Sequence, residues 1–205
     1  MRILILGDSF AADWTIKYPD SKGWPNMLAE EGHAVVNLAQ AGVSEYKILK
    51  QVENLPKGYL GYFELVIVSH TSTYRAHTKS HPIHAGDSIH NHADLIFTDI
   101  EHHRKKWRNI FNRSLKAAYD YFLYHFDEQY QEDIYRLIRK QINEKLAGIP
   151  SIALNVLNIN QDLITEKNVV DLLDIIQDNP GLMNHLSPKG NRLVCDRMLD
   201  TIRSM

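Results

Sequence analysis

The stretch Met1-Arg2-Ile3-Leu4-Ile5-Leu6-Gly7-Asp8-Ser9-Phe10 decides how the rest of the chain is read. Its first six residues, five of them apolar, have the composition of a strand buried on both faces. Gly7 ends that run. Gly, Asp and Ser are also common turn residues for conformational reasons alone. Ser9 therefore stands either in an ordinary strand-to-loop turn or at the C-terminal edge of a parallel sheet, where open α/β folds place their ligands.

Working outward, residues 33–38, 65–68 and 151–157 are three more short apolar runs rich in Val, Ile or Leu. Helical patterns alternate with them, which predicts a parallel sheet. Trp24, Met27 and Leu28 share one helical face, with Gly32 suited to the C-terminal cap. Tyr46, Ile48, Leu49 and Val52 mark a second helix. Trp107, Ile110, Phe111, Leu115, Ala118 and Phe122 give one longer stripe, and Ile134, Leu137, Ile138 and Ile142 another, divided near Asp127-Glu128. A polar loop is expected after the fourth strand, then a helix around 169–177. Ser187-Pro188 is an N-cap and N1 pair, so His185 falls in the loop just before the last helix.

The polar ends of the strands, at Ser9, at Ala41-Gly42 and at Ser69-His70-Thr71-Ser72-Thr73-Tyr74-Arg75, then share one rim. The predicted organisation is a single domain over 1–205. Residues 76–148 form a crossover that carries a helical insertion, a lid or partner-binding element.

The charge is near balance, with 23 Lys and Arg against 25 Asp and Glu, so no overall basic field draws nucleic acid or anionic lipid. Neither nucleic acid nor membrane is expected as a partner. The N-terminal apolar run is too short for a signal segment, and no apolar run of about 18 residues follows, so the expected location is cytoplasmic. Cys195, the one cysteine, lies in the pattern of Leu193, Val194, Met198, Leu199 and Ile202, which argues for a packed thiol. The region around 70–103 holds eight of the eleven histidines. His81-x-x-His84 and His90-x-His92 match no closed zinc pattern and have no cysteine beside them, so no metal is assigned. A substrate-facing or pH-sensitive loop is expected there. The aromatic run Tyr119, Tyr121, Phe122, Tyr124, Phe126 reads as core or a dimer contact.

Gly7-Asp8-Ser9-Phe10, Ala41-Gly42 and His185-Leu186-Ser187-Pro188-Lys189-Gly190 occur in one order that resembles the SGNH (GDSL) hydrolase superfamily. The resemblance implies a three-layer α/β/α, flavodoxin-like fold with a parallel sheet. It also implies an ester hydrolase that needs no cofactor. Ser9 would be the nucleophile, His185 its base, and the Ser9 and Gly42 N–H groups oxyanion donors. Asp8 would hold the turn.

Two positions depart from the family pattern. Thr73 falls where the family has an asparagine donor, which leaves Thr73, Thr71 or Arg75 as the third donor. Leu182 falls where an aspartate would orient the histidine, which leaves a Ser9–His185 dyad. A backbone carbonyl, the Asn184 side chain or Asp178 would then have to orient the imidazole. The expected substrate is a carboxylic ester, a small acyl group on a sugar or glycan. The alternatives are an acyltransferase, a binding protein, or an assembly subunit that oligomerises through the helices in 103–147, with Phe111, Leu115 and Phe122 at the contact.

Overall fold

The computed structural model describes residues 1–157 and 168–205. Five parallel strands form one sheet in the order β2-β1-β3-β4-β5: β1 (Arg2–Gly7), β2 (Ala34–Asn37), β3 (Leu65–Ser69), β4 (Ser151–Asn155) and β5 (Val169–Asp171). This is the doubly wound order in which ligands collect at the carboxyl ends of the strands flanking the reversal. The reversal lies between β1 and β3, and Ser9 follows β1 directly.

Alternation along the strands builds two cores. Ile3, Ile5, Leu65 and Ile67 face one side, where they pack with Trp24 and Leu28 of α1 (Trp24–Glu30) and Val194, Cys195 and Met198 of α7 (Pro188–Ser204). Leu4, Leu6, Val66 and Val68 face the other, against Ile48, Leu49 and Val52 of α2 (Glu45–Glu53) and Ile142 and Leu146 at the end of α5 (Glu128–Lys145). The sheet is thus sandwiched between helical layers, the three-layer architecture expected. Cys195 is fully buried, and that burial pushes its thiol pKa up to about 11.

Between β3 and β4 the chain also forms α3 (Phe97–Arg104) and α4 (Arg113–Tyr124). Leu115 and Ala118 of α4 pack with Ile100 of α3 in a small separate core. The stripe read from Trp107 to Phe122 is broken, because Asn112 caps Leu115 N–H at 3.0 Å and starts α4 there. Trp107–Asn109 is a 3₁₀ turn, and Trp107, Ile110 and Phe111 face solvent.

The helix expected around 169–177 is also corrected. Val169–Asp171 pairs with β4 as the fifth strand, and α6 (Leu173–Asp178) begins only after it. The polar loop expected after β4 falls on 158–167, outside the described residues. The Ser187 cap is present, its hydroxyl accepting Gly190 N–H at 3.1 Å.

At the end of β1 the backbone passes against β3 so closely that a Cβ on Gly7 would lie 2.5 Å from the Ser69 carbonyl oxygen, and Gly7 has φ of +144°. Only glycine fits there. Gly7→Ala should cost about 3 kcal/mol in chemical denaturation, from backbone strain and overpacking together. A loss below about 1 kcal/mol would contradict this account of the turn.

Candidate active site

Gly7 turns the chain into Asp8 and Ser9, and the turn is tied from several sides. Gln51 of α2 bonds both the N–H and the carbonyl of Gly7, at 2.8 and 3.0 Å. Asp8, fully buried, accepts Phe10 N–H at 3.1 Å and the Ser69 hydroxyl at 3.3 Å, the turn-holding role expected of it. Burial pushes the Asp8 pKa up to about 6, and the Arg75 charge is the largest influence opposing that rise. The Ser9 carbonyl accepts the Trp14 indole N–H at 3.2 Å.

His185 reaches this turn from the far end of the chain. Its Nε2 lies 2.8 Å from Ser9 Oγ, within hydrogen-bond reach of a nucleophile–base pair. The loop that carries it runs between β6 (Pro180–Met183), a short extended segment bridged to Leu186, and α7. Asn184 and His185 both adopt positive φ, +53° and +62°. Two neighbouring non-glycine residues in that region need outside support.

Asn184 supplies part of that support. It is fully buried, and its Nδ2 donates to the Ser9 and Ala12 carbonyls at 3.2 and 2.9 Å. Asn191 of α7 supplies the rest, donating to the Met183, Leu186 and Ser187 carbonyls and accepting Trp24 N–H. The Phe10 ring lies 4.3 Å from the His185 ring, centre to centre.

None of the three orienting groups foreseen for the imidazole is in place. The Asn184 amide is engaged with Ser9 and Ala12 instead. Asp178 lines an open groove between α6 and α7 with Asp174 and Arg197. Among the described residues neither a carboxylate nor a backbone carbonyl bonds Nδ1, and Leu182 is 57% exposed. The Ser9–His185 contact is positioned by packing and by the strained loop. His185 sits at the rim, and its pKa is drawn below the ordinary value by desolvation first and then by the Arg75 and His90 charges.

The remaining predicted residues divide. Gly42 has φ of +80°, and a Cβ there would meet Ala93 Cβ at 2.7 Å and Arg75 Nη1 at 3.4 Å. Among the described residues, neither Ser9 N–H nor Gly42 N–H has a protein acceptor. Arg75 makes no ion pair within 4 Å among them, its Nε is buried without a partner, and Asp8, Asp94 and Asp99 act on it only at longer range. Thr73 and Arg75 line a cavity of about 240 Å³ with Tyr46, His77, Tyr130 and Gln131. Thr71 is fully buried, its N–H on Glu45 and its carbonyl on the Tyr135 hydroxyl. Its own hydroxyl lies beside Asp8 without a full hydrogen bond.

The histidines gather around Asp99, with Nε2 of His81, His84 and His103 at 3.4, 3.1 and 3.5 Å from its oxygens. The group His81, His84, Asp99 is compact enough to suggest a cation site. The His81 tautomer argues against one. Its Nδ1 accepts the N–H groups of Ile83 and His84, both at 3.2 Å, so in the neutral ring the proton is on Nε2, the atom a metal would need free. Of the three histidines, His84 is hydrogen-bonded to Asp99, and His81 and His103 stand beside it at ion-pair distance.

The sequence pattern did not single out Asn191, and of Asn184 it offered imidazole orientation as one of three alternatives, where the side chain instead bonds the Ser9 and Ala12 carbonyls. A signal for Asn191 was available: it stands three, four and seven residues before Val194, Cys195 and Met198, a polar residue on the buried face of α7.

No family model matches the chain, and no curated protein matches its sequence. Solved structures do resemble it. The psychrotrophic esterase EstA from Pseudoalteromonas sp., in a structure inhibited by monoethylphosphonate, superposes with a TM-score of 0.52 at 14% identity, over 99% of this chain and 97% of that one. A lipase/acylhydrolase from Enterococcus faecalis gives 0.48 at 14% identity, over 100% and 96%. The likeness to EstA is one of fold, and the chain has the three-layer fold that the SGNH resemblance implies.

The His185 imidazole should titrate below 6.5 when followed by NMR. Arg75→Gln should raise that value, because it removes a neighbouring positive charge. A wild-type value at or above 6.5, or no rise in the variant, would contradict the electrostatics described.

Proposed function

We propose that the protein hydrolyses a carboxylic ester through an acyl-Ser9 intermediate. The single observation that carries this reading is the 2.8 Å approach of His185 Nε2 to Ser9 Oγ at the carboxyl end of β1. In the proposed reaction, neutral His185 takes the Ser9 proton as Oγ attacks the ester carbonyl. The tetrahedral intermediate then collapses, the alcohol leaving with the proton held on Nε2. Water, deprotonated by His185, next attacks the acyl-enzyme and releases the acid with Ser9 restored.

The Ser9 and Gly42 N–H groups receive the oxyanion, and Arg75 is proposed as the third donor. Its guanidinium lies against Gly42, and no carboxylate among the described residues competes for it at close range. A cation there places full positive charge where negative charge develops. A lowered His185 pKa keeps the base neutral into mildly acid solution, at the cost of a weaker base.

The substrate proposed is a small acyl group on a sugar or glycan. The polar and aromatic lining of the cavity beside Arg75, with Tyr46, Tyr130, Gln131 and Thr73, supports that class.

Hydrolysis of p-nitrophenyl acetate tests the reading. Ser9→Ala and His185→Ala should each lower kcat by about 10³-fold or more, and Arg75→Ala by about 10²-fold. Leu182→Asp, which restores a carboxylate three residues before the histidine, should raise kcat by about tenfold. Turnover unchanged in Ser9→Ala would overturn the proposal.

A further inference from the structure

The surface between α3 and α4 combines two features that a purely aqueous surface rarely combines. Trp107, Ile110 and Phe111 are 83, 68 and 94% exposed, side by side in sequence on one turn. Between Glu101 and Asp120 the chain carries six Lys and Arg (Arg104, Lys105, Lys106, Arg108, Arg113, Lys116) and no acidic residue. Lys105 pairs with Glu101, Lys116 with Asp120, and Arg104 stacks on Tyr119. Lys106, Arg108 and Arg113 have no carboxylate partner among the described residues.

The turn is built, not loose. Asn109 Nδ2 donates to the His103 carbonyl at 2.8 Å, Ile110 N–H bonds the Trp107 carbonyl, and Asn112 caps α4. Local structure thus holds three large apolar side chains out in water, with the unpaired Lys106, Arg108 and Arg113 interleaved with them in sequence.

From this we infer that residues 104–113 dock the protein on the surface of an anionic bilayer. Trp, Ile and Phe enter the headgroup region while the cations meet the lipid phosphates. Charge complementarity selects this occupant, for a patch both strongly apolar and uniformly basic matches a surface that is anionic outside and hydrocarbon beneath. The near-neutral total charge, from which no membrane partner was expected, averages this patch away. Among the described residues no helix is long and apolar enough to cross a membrane.

A second copy of the chain fits less well. Leu115 is buried and Phe122 packs inside the α3–α4 core, so the contact strip Phe111, Leu115, Phe122 is not a surface. The inference rests on this surface alone and is independent of the chemistry at Ser9.

Co-sedimentation of the full chain with vesicles tests it, using phosphatidylcholine alone and phosphatidylcholine mixed with phosphatidylglycerol. The protein should pellet with the mixed vesicles only, and less so as salt is raised. Trp14 and Trp24 are buried, so a blue shift of tryptophan emission on binding reports Trp107. Phe111→Ser, and separately Arg108→Glu with Arg113→Glu, should each weaken partitioning by about tenfold or more. These side chains are exposed, and unchanged thermal unfolding would verify the fold of each variant. The inference is overturned if wild type ignores the mixed vesicles, or if the variants bind as wild type does. Binding to single-stranded RNA in place of vesicles, or a dimer that Phe111→Ser dissolves, would also overturn it.

Discussion

The candidate site depends on one amide. Asn184 Nδ2 joins the loop before α7 to the Ser9 and Ala12 carbonyls, and so brings His185 to a serine 176 residues away in sequence. Both chain ends are otherwise anchored in the same core layer, β1 and α1 on one side of the contact and α7 on the other. The amide converts that shared packing into a fixed approach of two reactive atoms. With an apolar residue at 184 the Ala12 carbonyl would be left unsatisfied, at a cost of about 1–3 kcal/mol, while the Ser9 carbonyl would keep only the Trp14 indole N–H. The positive φ values at Asn184 and His185 store strain that this clamp and Asn191 hold in place.

Electrostatics then separates this dyad from a serine triad. An aspartate on the imidazole would raise its basicity and stabilise the imidazolium; here Arg75 and His90 act the other way. In the proposed reaction the same Arg75 charge, which lies against Gly42, would face the oxyanion. On the proposed mechanism the arrangement would trade strength of the base for strength of the oxyanion donor, the opposite balance to an asparagine donor paired with an aspartate-backed histidine. Asp8, buried and raised to about 6, moderates the field of Arg75 as it ionises.

Much of the fold was legible because its signals are local. The apolar runs that became β1 to β4 are short, β-branched and bounded by turns, and Ser187-Pro188 announced the start of α7 and the place of His185. The reading failed where local pattern and tertiary packing diverge. Val169–Asp171 is only three residues long, and its strand identity comes from pairing with β4. Trp107, Ile110 and Phe111 carry helical spacing, but the Asn112 cap sets the register of α4 without them. Asn184, one of three alternatives for orienting the imidazole, has its amide pointing across to a turn at the opposite end of the chain, a contact with no trace in spacing. The block order singled out Ser9, Gly42 and His185, each at the end of a strand or just before a helix, and the fold brings His185 to within 2.8 Å of Ser9.

The most direct test of the account is chemical labelling of Ser9. The folded protein is incubated with a fluorophosphonate above pH 7, and the adduct is mapped by mass spectrometry in wild type and in Asn184→Ala. The account predicts one adduct, on Ser9, formed about 10²-fold more slowly in the variant because the base is displaced from the nucleophile. A folded wild type that takes no label, or takes it at a residue other than Ser9, would contradict it.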